Sequence, residues 1–77
     1  MQHYVDPNTV ELRKSPHTSR ILIRILEKDG QIVPVLVRKD GEVFYVDDQY
    51  QADRVAAFRQ LGWPTILVED EWSDEDL

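Results

Sequence analysis

The segment Ile32-Val33-Pro34-Val35-Leu36-Val37-Arg38, followed by Lys39-Asp40-Gly41-Glu42 and then Val43-Phe44-Tyr45-Val46, commits the middle of the chain to a β-hairpin. Both runs are rich in β-branched and aromatic residues, and the turn between them carries glycine. Pro34 has no amide hydrogen to give to a ladder, so it belongs at the start of its strand or at a bulge. In 77 residues only one hydrophobic core is available to cover such a hairpin. The chain contains no cysteine, so no disulfide staples that core, and thiolate metal sites and cysteine nucleophiles are excluded.

The flanks supply the remaining elements. Asp47-Asp48 offers a carboxylate to the orphan amides of a first helical turn, with Gln51 three residues after Asp48 as in a capping box. The helix runs from about Gln49 to Leu61, stops at Gly62, and turns through Trp63-Pro64 into a short strand, Thr65-Ile66-Leu67-Val68. Before the hairpin, Tyr4-Val5 is extended and Asp6-Pro7-Asn8 forms a turn, with a second loop at Lys14-Ser15-Pro16-His17. Residues 19–28 are ambiguous. Their β-branched content and the Asp29-Gly30 pair favour a strand, whereas Leu22, Ile25 and Leu26 share a helical face and Gly30 stands where a helix would stop.

Charge is segregated along the chain. The net charge is −6, and residues 69–77 hold six acids and no base, which leaves residues 1–68 neutral, with nine charges of each sign. Residues 13–39 carry seven bases against two acids, a local balance of +5. The acidic run is expected to form a disordered tail, 69–77, that either solubilises the domain 1–68 or covers its basic stretch with Trp72 as an apolar anchor. The first residues lack a basic-then-apolar leader and no apolar run is long enough to span a bilayer, so a cytoplasmic protein with no membrane partner is expected.

Arg54 falls in the middle of the apolar face formed by Tyr50, Ala57, Phe58 and Leu61. A guanidinium there must be paired or must reach an anion. It either snorkels or pairs with Asp47 or Asp48, or it faces a pocket and takes a phosphate or carboxylate through its planar fork. Thr18 and Ser19, beside Arg20, stand where they would cap the first helix or bond an anion at its N-terminus. His3 and His17 are the only imidazoles and have no carboxylate at ligand spacing, so neither a metal site nor a catalytic triad is expected.

Three stretches carry a family resemblance: Val5-Asp6-Pro7-Asn8 through Ser15-Pro16-His17-Thr18-Ser19-Arg20; Gly30-Gln31-Ile32-Val33-Pro34-Val35-Leu36-Val37-Arg38; and Arg54 through Val68 with its Leu61-Gly62-Trp63 helix stop. Together they resemble the N-terminal ParB-like domain of the ParB/sulfiredoxin superfamily. The resemblance implies a small α+β domain with a short mixed sheet of about four strands and two main helices, so that residues 19–28 are helical. In that family a glycine-containing motif ending in arginine opens the second helix and approaches a nucleotide phosphate.

The corresponding positions here read Gln51-Ala52-Asp53-Arg54, in which only the arginine matches and Asp53 brings negative charge to the phosphate position. Sulfiredoxin-type reduction needs a cysteine in this motif and is excluded. The partition proteins of the family read DNA through a separate helix-turn-helix domain, for which the chain leaves no room. The resulting expectation is a stand-alone, non-catalytic binding or regulatory module with no catalytic residues and no cofactor. Arg20, Arg54, Thr18, Ser19 and Gln51 are its candidate anion- or phosphate-binding residues. A protein is the expected partner of this monomer or weak dimer. The alternatives are a nucleotide enzyme with Asp47 or Asp48 on a metal, and a nucleic-acid accessory factor working through residues 13–39.

Overall fold

A computed structural model describes residues 1–17 and 19–70. The elements follow in the order β1 (Gln2–Val5), a 3₁₀ turn (Pro7–Thr9), β2 (Glu11–Leu12), α1 (Arg20–Asp29), β3 (Val35–Asp40), β4 (Val43–Val46), α2 (Gln49–Leu61) and β5 (Ile66–Asp70). The five strands form one mixed sheet in the order β1-β5-β3-β4-β2. The hairpin β3-β4 is antiparallel with Arg38 opposite Tyr45, and β5 lies parallel to β3 with Val68 opposite Val35. Strand β1 closes one edge antiparallel to β5, and β2 closes the other parallel to β4.

The strand count exceeds the expected four by β2, a two-residue strand that has no alternating pattern of its own and exists only because β4 lies beside it. β5 also runs two residues beyond Val68. Glu69 and Asp70, assigned to the acidic tail by composition, are strand residues paired with Gln2 on one side and with Leu36 and Val37 on the other. The rest of that tail, including Trp72, lies outside the described residues, as does Thr18.

Residues 20–29 are helical despite their β-branched content. Ser19 caps α1 by accepting the Leu22 amide at 3.2 Å, and the Gly30 amide closes its last turn on the Leu26 carbonyl. Burying Leu26, with Leu22 and Ile23 packed against the core, outweighs the weak local strand preference. Ile25, grouped with Leu22 and Leu26 by helical spacing, points outward instead.

Helix α2 begins at Asp48, whose carboxylate accepts the Gln51 amide, and ends at Gly62 in the left-handed conformation. There the Trp63 amide reaches back to the Phe58 carbonyl, an arrangement that needs a positive φ and therefore favours glycine. α2 packs against β3, α1 and the 3₁₀ turn, so more than one of its faces is covered. Ala52, Val55, Ala57 and Phe58 are buried with Val35, Val37, Val46, Ile66 and Val68 of the sheet. Tyr50, read as part of the apolar face, is exposed, because it stands on the first turn ahead of that packing.

Candidate functional site

The head of α2 meets the hairpin at a cleft of about 380 Å³, lined by Leu36, Arg38, Tyr45, Val46, Asp47, Asp48 and Gln51. Pro34 stands directly before β3, as its missing amide requires, and the carbonyls of Val33 and Pro34, which precede the strand, need donors. Arg54 answers this need. It is only 5 % exposed, and its guanidinium donates to the Pro34 carbonyl at 3.0 Å, to the Val33 carbonyl, and to Gln51 Oε1 at 3.0 Å. Burial pushes its pKa down, and Tyr50, whose ring lies 5.7 Å from the guanidinium carbon, pushes it partly back. Among the described residues no carboxylate pairs with it. The expected pairing with Asp47 or Asp48 is absent because the nearby acceptors are backbone carbonyls, while Asp47 lies 3.8 Å from Arg38 instead.

Gln51 completes the arrangement. Its side-chain oxygen accepts from Arg54 and, at 3.4 Å, from the Leu36 amide. Hence only half of the capping box forms: Asp48 caps the helix, but the Gln51 side chain turns toward β3 instead of returning to the Asp48 amide. A neutral oxygen of the chain itself thus sits where an incoming anion would have to meet both the guanidinium and a strand amide.

Asp53 has a structural role that its charge alone does not reveal. Its carboxylate accepts the His17 amide at 2.7 Å and the Gln49 side-chain amide at 2.9 Å, and these bonds hold its pKa below the usual aspartate range, with the His17 bond the larger cause. Gln49 also donates to the Ser15 carbonyl at 2.7 Å, so the Ser15-Pro16-His17 loop is latched to the first turn of α2. Ser19 is occupied as the cap of α1, and Arg20 is exposed on the first turn of that helix. The structure therefore joins Gln51 to Arg54 and leaves Arg20 outside their contact network.

Two further side chains organise the site's surroundings. Gln31 accepts the Leu67 amide and donates to the Leu67 carbonyl, each at 2.7 Å, acting as a one-residue extension of the parallel ladder ahead of β3. Arg59 donates to the carbonyls of Pro7, at 2.8 Å, and Val10, tying the 3₁₀ turn to α2. The Gly30-Gln31 pair is visible in sequence. Arg59 has no comparable signal, because its partners are carbonyls 52 and 49 positions away.

Neither a protein-family model nor a curated protein matches the sequence. Among solved structures, sulfiredoxin from Arabidopsis thaliana matches with a TM-score of 0.73 and 18 % identity, over 99 % of this chain and 90 % of that one. The chain has a ParB/sulfiredoxin-like fold. The C-terminally truncated chromosome-partitioning protein ParB from Caulobacter crescentus, complexed with CTP-gamma-S, matches with a TM-score of 0.66 and 16 % identity, over 97 % of this chain. The match spans 47 % of that ParB chain, so this ParB-like unit corresponds to about half of it. Among the described residues, no His, Asp and Glu cluster is arranged to hold a metal, and no helix is long and apolar enough to cross a membrane.

Proposed function

We propose that this ParB-like chain is a non-catalytic binding or regulatory module that takes a protein partner. The observation that supports this reading best is Gln51 Oε1, which occupies both the Arg54 guanidinium and the Leu36 amide. A phosphate would have to displace this oxygen and also compete with two backbone carbonyls for a desolvated guanidinium. The cleft beside it sets Asp47 and Asp48 against a single cation, Arg38, a net negative lining that opposes a polyanion. The surface that suits a protein is the outer side of α1, where Ile21 and Ile25 are exposed among cationic residues, with Ile32 and Val33 exposed just beyond the helix.

Calorimetric titration with CTP, ATP and GTP in the presence of Mg²⁺ tests the reading, with no saturable heat expected. Saturable binding accompanied by amide shifts at residues 51–54 would instead make the chain a nucleotide-binding domain like the ParB solved with CTP-gamma-S.

The exposed cations of α1 favour a second reading, a nucleic-acid accessory factor. Among the described residues, Arg20, Arg24 and Lys28 make no ion pair. That reading requires an affinity for DNA that falls steeply with salt and is lost on reversing these three charges.

A further inference from the structure

The outward side of α1 is built as two adjacent rows. At 100° per residue, Arg20, Arg24 and Lys28 form a cationic row, and Ile21 and Ile25, at the same four-residue spacing, form an apolar row beside it. The two rows fill one continuous arc of roughly 140°, while Leu22, Leu26 and Ile23 turn to the core. Ile21 is 73 % and Ile25 48 % exposed. Among the described residues, none of the three cations makes an ion pair. By contrast, Arg13 pairs with Glu11 and Asp40, Arg38 faces Asp47, and Arg54 and Arg59 are held by backbone carbonyls. Glu27 borders the cationic row on its outer flank and Asp29 borders the apolar row on the other, so the arc has defined edges.

We propose that this face takes an acidic amphipathic helix of a partner protein, laid along α1 with carboxylates on Arg20, Arg24 and Lys28 and aliphatic side chains on Ile21 and Ile25. The occupant follows from the two rows together. Residues four apart on a helix stand about 6 Å apart along its axis, so a partner helix presents an acidic and an apolar row side by side at the spacing of α1. An extended segment turns alternate side chains to opposite faces and offers α1 a single row. Duplex DNA would satisfy the cations but leave both isoleucines in water, and the bordering Glu27 and Asp29 would repel its neighbouring phosphates. A helix lying in an anionic membrane surface needs a broad apolar stripe, and that stripe of α1, Leu22, Ile23 and Leu26, already packs into the core of the domain. Charge complementarity selects acids, and the exposed isoleucines beside the cations select an amphipathic helix to carry them.

As a partner's site this face rests on the protein-binding reading, but docking at α1 and nucleotide binding at residues 51–54 are measured separately. The full-length protein is used to select from a displayed library of single helices with one face randomised. Enriched helices are expected to carry Asp or Glu at positions i and i+4 beside a second i, i+4 row of Leu, Ile or Met. As synthetic peptides they should shift the amide signals of residues 20–28. Arg24→Glu/Lys28→Glu should weaken the best peptide more than about tenfold, and replacing that peptide's acids by lysines should restore binding to the variant. Ile21→Ser/Ile25→Ser should also weaken it, by a factor that persists in about 0.5 M salt, where ion pairs are screened. Enriched sequences lacking either row, shifts mapping away from α1, or full affinity in the isoleucine variant would overturn the assignment. So would tighter binding of α1 to duplex DNA or to vesicles of equimolar phosphatidylserine and phosphatidylcholine than to the best peptide, which would make the occupant a nucleic acid or a membrane. Failure to enrich any helix, with the nucleotide titration silent, would remove the helical partner and leave the protein-binding reading standing. Nucleotide binding at residues 51–54 beside peptide docking at α1 would remove that reading alone.

Discussion

Helices α1 and α2 are built with the same end devices and used in opposite ways. Each begins on a side chain that accepts an amide of its first turn, Ser19 or Asp48, and each is followed by a glycine. α1 then buries a single stripe and leaves its cations and two isoleucines outside. α2 buries Ala52, Val55, Ala57 and Phe58 and turns even Arg54 inward. The difference follows from position: α2 has β3, α1 and the 3₁₀ turn packed around it, so it organises the domain, whereas α1 has one covered side and presents the other.

This division of labour makes the largest prediction. Phe58→Ala empties a fully buried ring position packed 4.9 Å from the Trp63 ring, and should destabilise the domain by about 3–5 kcal/mol in urea unfolding. Ile21→Ala on the exposed arc should change stability by less than about 0.5 kcal/mol. Comparable losses at the two positions would erase the distinction between an organising and a presenting helix.

A smaller effect is expected at the charged residue that α2 buries. Arg54→Met removes the donors for the Val33 and Pro34 carbonyls, and should lower stability by about 2–4 kcal/mol while speeding hydrogen exchange at the start of β3. A loss below about 1 kcal/mol would show that the guanidinium is not needed to hold that segment and stands ready for a ligand.

The smallest effect is local and concerns the latch between α2 and the loop leading into α1. The folded-state pKa of Asp53 is depressed, so its charged form is the one favoured by folding. The contribution is complete above the unfolded aspartate value, about pH 4, and is lost as pH falls through the lower folded-state value. Protection of the His17 amide against exchange should therefore fall off only below about pH 4, and Asp53→Asn should remove that pH dependence. An unchanged pH profile in the variant would detach the loop from α2 in solution.

Much of the scaffold was legible from local chemistry. The hairpin, the span of α2 with its Asp48 cap and Gly62 stop, the placement of Pro34 before its strand and the turn at Asp6-Pro7 all follow from short-range rules. The site was legible only as a set of residues. Arg54 stood out as a charge on an apolar face, but its partners are carbonyls, which every residue carries and no sequence pattern marks. Gln51 was visible as a capping residue, and Asp53 as a misplaced charge. Their bonds to Leu36 and His17 depend on which strand and loop the fold brings to the head of α2.

The sequence by itself determined where the chain must turn, where α2 starts and stops, and that one cysteine-free core must cover a hairpin, because these depend on φ preference, capping and burial within a few residues. Local composition left residues 20–29 open between strand and helix, and it was the family resemblance that pointed to the helix. Only the tertiary structure decided that β2 is a strand, that Arg54 is closed by the chain's own carbonyls, and that α1 carries exposed cations. Each of these is set by contacts with distant segments, and the free energy of such contacts exceeds the few tenths of a kcal/mol, on the order of a residue's propensity, by which local sequence expresses a preference.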